Sequence, residues 1–198
     1  MSVESLDTLI VYCHPWEMSY THEVLCACER SLSAARRSYE VIDLYADGFM
    51  PAMTVDELSV YNQGVTEDAL VKRYQELLLA CKHLILVFPV WWNDVPAMLR
   101  GWLDRTMLPG FAWEATGKGI VGKLSNIESV DAFTTSSNPT SYMQERLGDG
   151  IQHTLLDATF WQLGCGKGRW HNLGGIDITT EDERAQWLLS VEDEVAHI

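Results

Sequence analysis

The chain has 198 residues, 47 % hydrophobic and 21 % charged, which suits one α/β domain with a sizeable core and is too apolar for a disordered chain. Its 14 Lys and Arg against 28 Asp and Glu leave a formal charge of −14, a balance that repels phosphate backbones and weighs against nucleic acid or an anionic membrane as partner. No apolar run approaches the roughly 18 residues of a membrane span.

In chain order, LDTLIVYC (6–13) predicts a first strand, apolar and β-branched as a strand covered on both faces should be. HPWEMSY breaks it, and helical spacing follows over 21–37. SYEVIDLY (38–45) predicts a second strand, and residues 46–65, with Gly, Pro and Asn, a long surface excursion. A helix over 68–81 leads into the strand HLILVFP (83–89). Val95, Met98, Leu99, Trp102, Leu103 and Thr106 then fall on one helical face. Asn93 or Asp94 is expected to cap that helix, with Pro96 in its first turn. Gly101 inside it costs about 1 kcal/mol relative to Ala, which implies close approach of another backbone. LPGFAWEATGKGIVGK (108–123) reads as a loop, IESVDAFTT (127–135) as a fourth strand, and 142–163 as a helix. CGKGRWHNLG holds a weak fifth strand, and 181–194 closes as a helix. Five strand–helix alternations predict an α/β fold of one domain over 1–198, a parallel sheet with helices on both faces.

The opening Met1–Asp7 is polar and acidic rather than a charged-then-apolar leader. Cysteines are odd in number, at 13, 26, 28, 81 and 165, and are expected as free thiols in a reducing compartment. Cys26 and Cys28, two apart on a helix, point about 200° away from each other, and His14 and His22 have no third ligand, so no metal site is expected. GKGIVGK (117–123) satisfies the start of a phosphate-loop pattern, but Leu124 stands where Ser or Thr should hold magnesium, and a strand follows instead of a helix. It reads as an ordinary loop. There is no G-x-S-x-G elbow. Asp131 and His171 find no place in these patterns.

In sheets of this class a ligand sits outside the carboxyl ends of the strands, which selects HPWEMSYT, PVWWND and TTSSNPTSY. Ser19, Tyr20 and Thr21 at a helix start suit a phosphate. Trp91 and Trp92 can wall a flat ring, and Thr134–Ser137 offer hydroxyls and N–H groups to a polar edge. Taken singly, each has a plainer reading as helix cap, core tryptophan or turn. Their coincidence at three matching strand ends favours a planar, phosphorylated ligand.

FPVWWNDVPAMLRGWLDRTMLPGFAW resembles the signature segment of the flavodoxin-like NAD(P)H:quinone oxidoreductases. IVYCHPWEMSYT and AFTTSSNPTSY resemble that family's other two flavin loops, in order and spacing, over roughly residues 7–145. The resemblance implies a flavodoxin-like three-layer sandwich with a five-stranded parallel sheet in the order 2-1-3-4-5. It implies bound FMN, with FAD as the alternative, and a cytoplasmic homodimer using NAD(P)H and quinone-like acceptors. By motif, His14, Ser19, Tyr20 and Thr21 would surround the flavin phosphate. Pro89, Val90, Trp91, Trp92 and Asn93 would run along the ring, with Trp92 the better-matched wall. Thr134, Thr135, Ser136 and Ser137 would meet the ring's pyrimidine edge, and Tyr142 would donate to the acceptor oxygen as the catalytic side chain. The chain departs from the pattern at Ser136 and Ser137, where glycines are common, at Asn93, and in lacking a histidine after Tyr142. The alternative implied function is a flavin-binding ancillary subunit of a transporter.

Overall fold

The computed structural model describes residues 5–198. Five strands, β1 (Leu6–Tyr12), β2 (Tyr39–Asp43), β3 (Cys81–Pro89), β6 (Ser129–Ser136) and β7 (Lys167–Gly174), form one parallel sheet in the order β2-β1-β3-β6-β7. With the hairpin strands β4 (Trp113–Thr116) and β5 (Gly119–Gly122) set apart, this is the expected 2-1-3-4-5 order of a flavodoxin-like fold.

The continuous apolar runs arise because both sheet faces are covered, so alternate residues enter different cores. Leu9, Val11, Leu84, Leu86 and Phe88 face one core, with α3 (Ala69–Ala80), α4 (Ala97–Thr106) and a π-helical segment (Ile151–Phe160). Ile10, Tyr12, Ile85, Val87 and Phe133 face the other, under α1 (Tyr20–Ala34) and α6 (Glu181–Ala196). Each fully buried Leu, Ile or Phe contributes about 1.5–3 kcal/mol, so the two cores fix the register from both sides.

Several local expectations are corrected. Residues 108–123 are not a loop throughout: β4 and β5 pair antiparallel. That hairpin carries GKGIVGK, where Gly122 lies against the backbone of Leu163 and Gly164. The helix expected over 142–163 is interrupted. α5 (Thr140–Arg146) ends before Gly148, Asp149 and Gly150, the first two at positive φ, and the chain resumes as the π-helical segment. Neither Asn93 nor Asp94 caps α4. Pro96 occupies the cap position without a side-chain bond, and Asp94 instead accepts from the Val95 N–H at 2.7 Å and pairs with Arg100 at 2.8 Å. The 46–65 excursion contains α2 (Val55–Val60), started by a capping box between Thr54 and Glu57. Glu57 and Asp68 together hold the buried Arg105 of α4.

Gly101 does meet another backbone, because a Cβ there would lie 2.3 Å from the Pro51 carbonyl oxygen. All five cysteines are unpaired.

Candidate functional site

The loops following β1, β3 and β6 converge at the carboxyl edge of the sheet, where strand order reverses on either side of β1. A cleft of about 590 Å³ opens there, walled by Val90, Trp91, Trp92, Asn93, Ser136, Ser137, Asn138 and Met143. The β3 and β6 loops are tied by the Val90 N–H donating to the Thr135 carbonyl at 2.8 Å. Thr135 is linked in turn to α1 by a 3.3 Å contact between its hydroxyl and that of Thr21. Pro89 ends β3 in register with Thr135.

The tryptophan pair sits in a tight reversal. Trp91 and Asp94 exchange backbone bonds of 3.0 and 3.1 Å, while Trp92 and Asn93 have φ of 52° and 62°. Two consecutive positive φ values define a type I′ turn, which favours Gly or Asn and penalises a bulky residue. The strain delivers two unlike indoles: Trp91 is 44 % exposed and Trp92 98 % exposed. Trp91 meets His14 edge to face at 6.4 Å between ring centroids, so loops one and two touch through aromatic rings.

Loop one presents donors. Ser19 caps α1, its hydroxyl accepting from the His22 N–H, which leaves the Tyr20 and Thr21 N–H groups at the helix start without intrahelical partners. The His14 Nδ1 lies 3.1 Å from the Trp16 nitrogen and 3.2 Å from the Trp16 carbonyl oxygen, so the ring is tied to this turn as acceptor in one tautomer and as donor in the other. Burial lowers the His14 pKa, keeping the ring neutral at pH 7. Beneath the helix start the buried Tyr12 hydroxyl and His22 Nδ1 have no partner, and burial pushes the Tyr12 hydroxyl up to about 12. A helix N-terminus whose Tyr20 and Thr21 N–H groups have no intrahelical partner fits an anionic phosphate. The Tyr20 hydroxyl is engaged elsewhere, donating to the Arg184 carbonyl of α6 at 2.6 Å.

Loop three is ordered by its own network. Thr134 is buried and turned toward β7, its hydroxyl donating to Asn172 Oδ1 at 2.7 Å. Ser136 lines the cleft, but its hydroxyl points back to the Asn138 carbonyl at 2.8 Å, so it does not fill the space a ring would need. Ser137 is exposed at the rim. Tyr142, 48 % exposed, stands beside the wall residue Met143 but outside the wall itself.

The motifs missed Asn138 and Met143, which occupy the wall, and Asn172, which orders it. Alternation along β7, placing Trp170 and Asn172 on the Thr134 face, is the signal that could have found Asn172. Asp131 and His171 prove to be partners. Asp131, 1 % exposed, binds Arg169 at 2.6 and 2.8 Å and His171 at 2.9 Å, well below the cleft.

The model of a family described as having the flavodoxin-like fold matches residues 7–194. An uncharacterized NAD(P)H oxidoreductase of Haemophilus influenzae is 26 % identical over 90 % of this chain and 89 % of its own. The mouse ribosyldihydronicotinamide dehydrogenase [quinone] is also 26 % identical, over 92 % of this chain and 87 % of its own. Among solved structures, an FMN-dependent NADH-azoreductase from Bacillus anthracis in complex with FMN superimposes with a TM-score of 0.79. It is 21 % identical and covers 97 % of this chain and 98 % of its own, a likeness of fold.

Proposed function

The chain belongs to the flavodoxin-like fold family, and from that premise we propose that it is a flavin-dependent NAD(P)H oxidoreductase reducing quinones or similar electrophiles by two electrons. The observation that carries this reading is the cleft between the β3 and β6 loops, where an aromatic wall faces a hydrogen-bonding edge, with the start of α1 joined to it through Thr21–Thr135 and His14–Trp91. FMN, named for the azoreductase of this fold, is the cofactor this space suits. When bound, it would carry hydride equivalents from NAD(P)H to the acceptor.

The remaining work falls to the protein. His14, Ser19 and the Tyr20 and Thr21 N–H groups would hold the phosphate. Pro89, Val90, Trp91, Trp92 and Asn93 would fix the ring plane. Backbone donors of Thr135–Ser137 would meet its pyrimidine edge and stabilise negative charge there, with Thr134 supporting them from behind. Tyr142 would donate to the acceptor oxygen. The Tyr142→Phe variant should then lower quinone turnover roughly tenfold or more with flavin content unchanged; unaltered turnover removes that role.

One flavin-binding domain would span the chain, working in the cytoplasm with its thiols reduced. Among the described residues no helix is long and apolar enough to cross a membrane. Exposed Trp16, Met18 and Trp92 in loops one and two support a homodimer that covers this apolar rim, and sedimentation would give the mass. The ancillary-subunit alternative has no support in the relatives' names, and steady turnover of the isolated protein would exclude it. The direct test is retention of FMN or FAD by the purified protein, followed by anaerobic NAD(P)H and then a quinone. The reading fails if no flavin is retained or added flavin does not bind.

A further inference from the structure

We propose that Asn172, on the edge strand β7, is the positioning residue for the loop between β6 and α5, and through it for the ring edge of the bound flavin; this rests on the reading of the cleft as a flavin site. Three hydroxyls converge on its one amide. Oδ1 accepts from Thr134 at 2.7 Å, and Nδ2 donates to Ser136 Oγ and Thr140 Oγ1, both at 2.9 Å. Together these residues bracket the loop, from β6 before it to the first residue of α5 after it.

The proton directions leave little freedom. The Trp170 indole can only donate, and it does so to Thr134 Oγ1 at 2.8 Å. The Thr134 proton therefore goes to Asn172 Oδ1. Ser136 gives its proton to the Asn138 carbonyl at 2.8 Å, and Thr140 gives its proton to the Asn172 carbonyl at 3.3 Å. Both hydroxyls must then receive a proton, and Nδ2 supplies two. A planar group with one acceptor and two donors is required, and asparagine provides it at this reach. The Asn138 carbonyl also accepts from the Gly175 N–H at 3.2 Å. A Cβ on Gly174 would lie 2.4 Å from the Thr140 nitrogen, so the end of β7 is pressed against the loop it orders.

The consequence reaches the cleft through Ser136. With its hydroxyl held inward by Asn172 and Asn138, Ser136 presents backbone rather than an outward side chain to the cleft space. Asn172 itself is not a wall residue, so its effect on a ligand is indirect.

The test uses the full-length protein with Asn172→Asp, which keeps the shape and removes both donors, and Asn172→Ala, which removes the whole amide. Two variants guard against one failing to fold, and thermal melts of the flavin-free proteins report that directly. FMN affinity is read by quenching of flavin fluorescence, and the midpoint potential of the bound flavin by redox titration. Losing two part-buried hydrogen bonds should raise the FMN Kd roughly tenfold and make the midpoint potential more negative. In a Ser136→Ala background the Asn172→Asp penalty should shrink, because one of the two receiving hydroxyls is gone. A Kd and potential within about twofold of the unaltered protein would overturn the proposal while leaving the flavin reading intact. Failure of the unaltered protein to bind FMN would defeat that reading, and this inference with it.

Discussion

The parallel sheet carries polar residues in its middle and its ligand-facing loops at its carboxyl edge, and the two regions differ in how their groups are partnered. In the middle, Asp131 is buried yet fully partnered, by two guanidinium bonds from Arg169, by His171, and by the Ser129 hydroxyl at 3.3 Å. His171 also stacks on Phe133 at 4.5 Å. At the carboxyl end the backbone leaves the sheet in loops holding an almost wholly exposed tryptophan at positive φ, and α1 nearby begins over unpartnered buried atoms. The closed Asp131 network stabilises the fold and places no atom at the cleft. An open one spends stability on conformations and donors that only a ligand can use.

Breaking the closed region should produce the largest effect on stability. Arg169→Leu leaves a buried carboxylate without its bidentate partner and should cost about 3 kcal/mol, the low end for a broken buried pair, because the Arg169 side chain is 34 % exposed. Urea denaturation measures it, and FMN affinity of the folded fraction should stay unchanged. A smaller effect is expected from acid. Burial opposes ionisation of Asp131, but hydrogen bonds from His171 and Arg169 outweigh it and hold the carboxyl below the usual carboxylate range. A depressed folded value gives stability that is complete above the unfolded pKa of about 3.9 and is lost as pH falls through the folded value. Denaturation midpoints from pH 6 to 2.5 should fall more steeply in the unaltered protein than in Asp131→Asn.

The open region should behave in reverse. Trp92→Gly relieves a strained φ while adding chain entropy to the unfolded state, so stability should change by less than about 0.5 kcal/mol. FMN affinity should nevertheless fall roughly tenfold through lost ring contact. If stability dropped by several kcal/mol instead, Trp92 would be a packing residue and the contrast between the two regions would be wrong.

The same contrast explains what could be read from the sequence. The parallel sheet, the helices on both faces and the three strand-end loops follow from apolar runs, helical periods and their order along the chain, all of which are local, whereas the 2-1-3-4-5 order followed only from the family resemblance. The aromatic pair and Gly101 were legible because each is costly at its position: an exposed indole, and a glycine inside a helix. Asp131, Arg169 and His171 were not, since their pairing joins residues nearly 40 positions apart through parallel register. Asn172 was missed for the same reason. The break in the helix after Arg146 turns on Gly148 and Asp149 at positive φ, a preference too weak to override helical periodicity on either side. The hairpin at 113–122 was too short, at four residues per strand, to show alternation.

The most direct test of the account is the visible absorbance spectrum of the purified protein after incubation with FMN and removal of the free cofactor, then again after anaerobic NAD(P)H. The account predicts flavin bands near one equivalent per chain, bleached by NAD(P)H and restored by a quinone. A protein that stays colourless, or whose bound flavin NAD(P)H does not reduce, would contradict it.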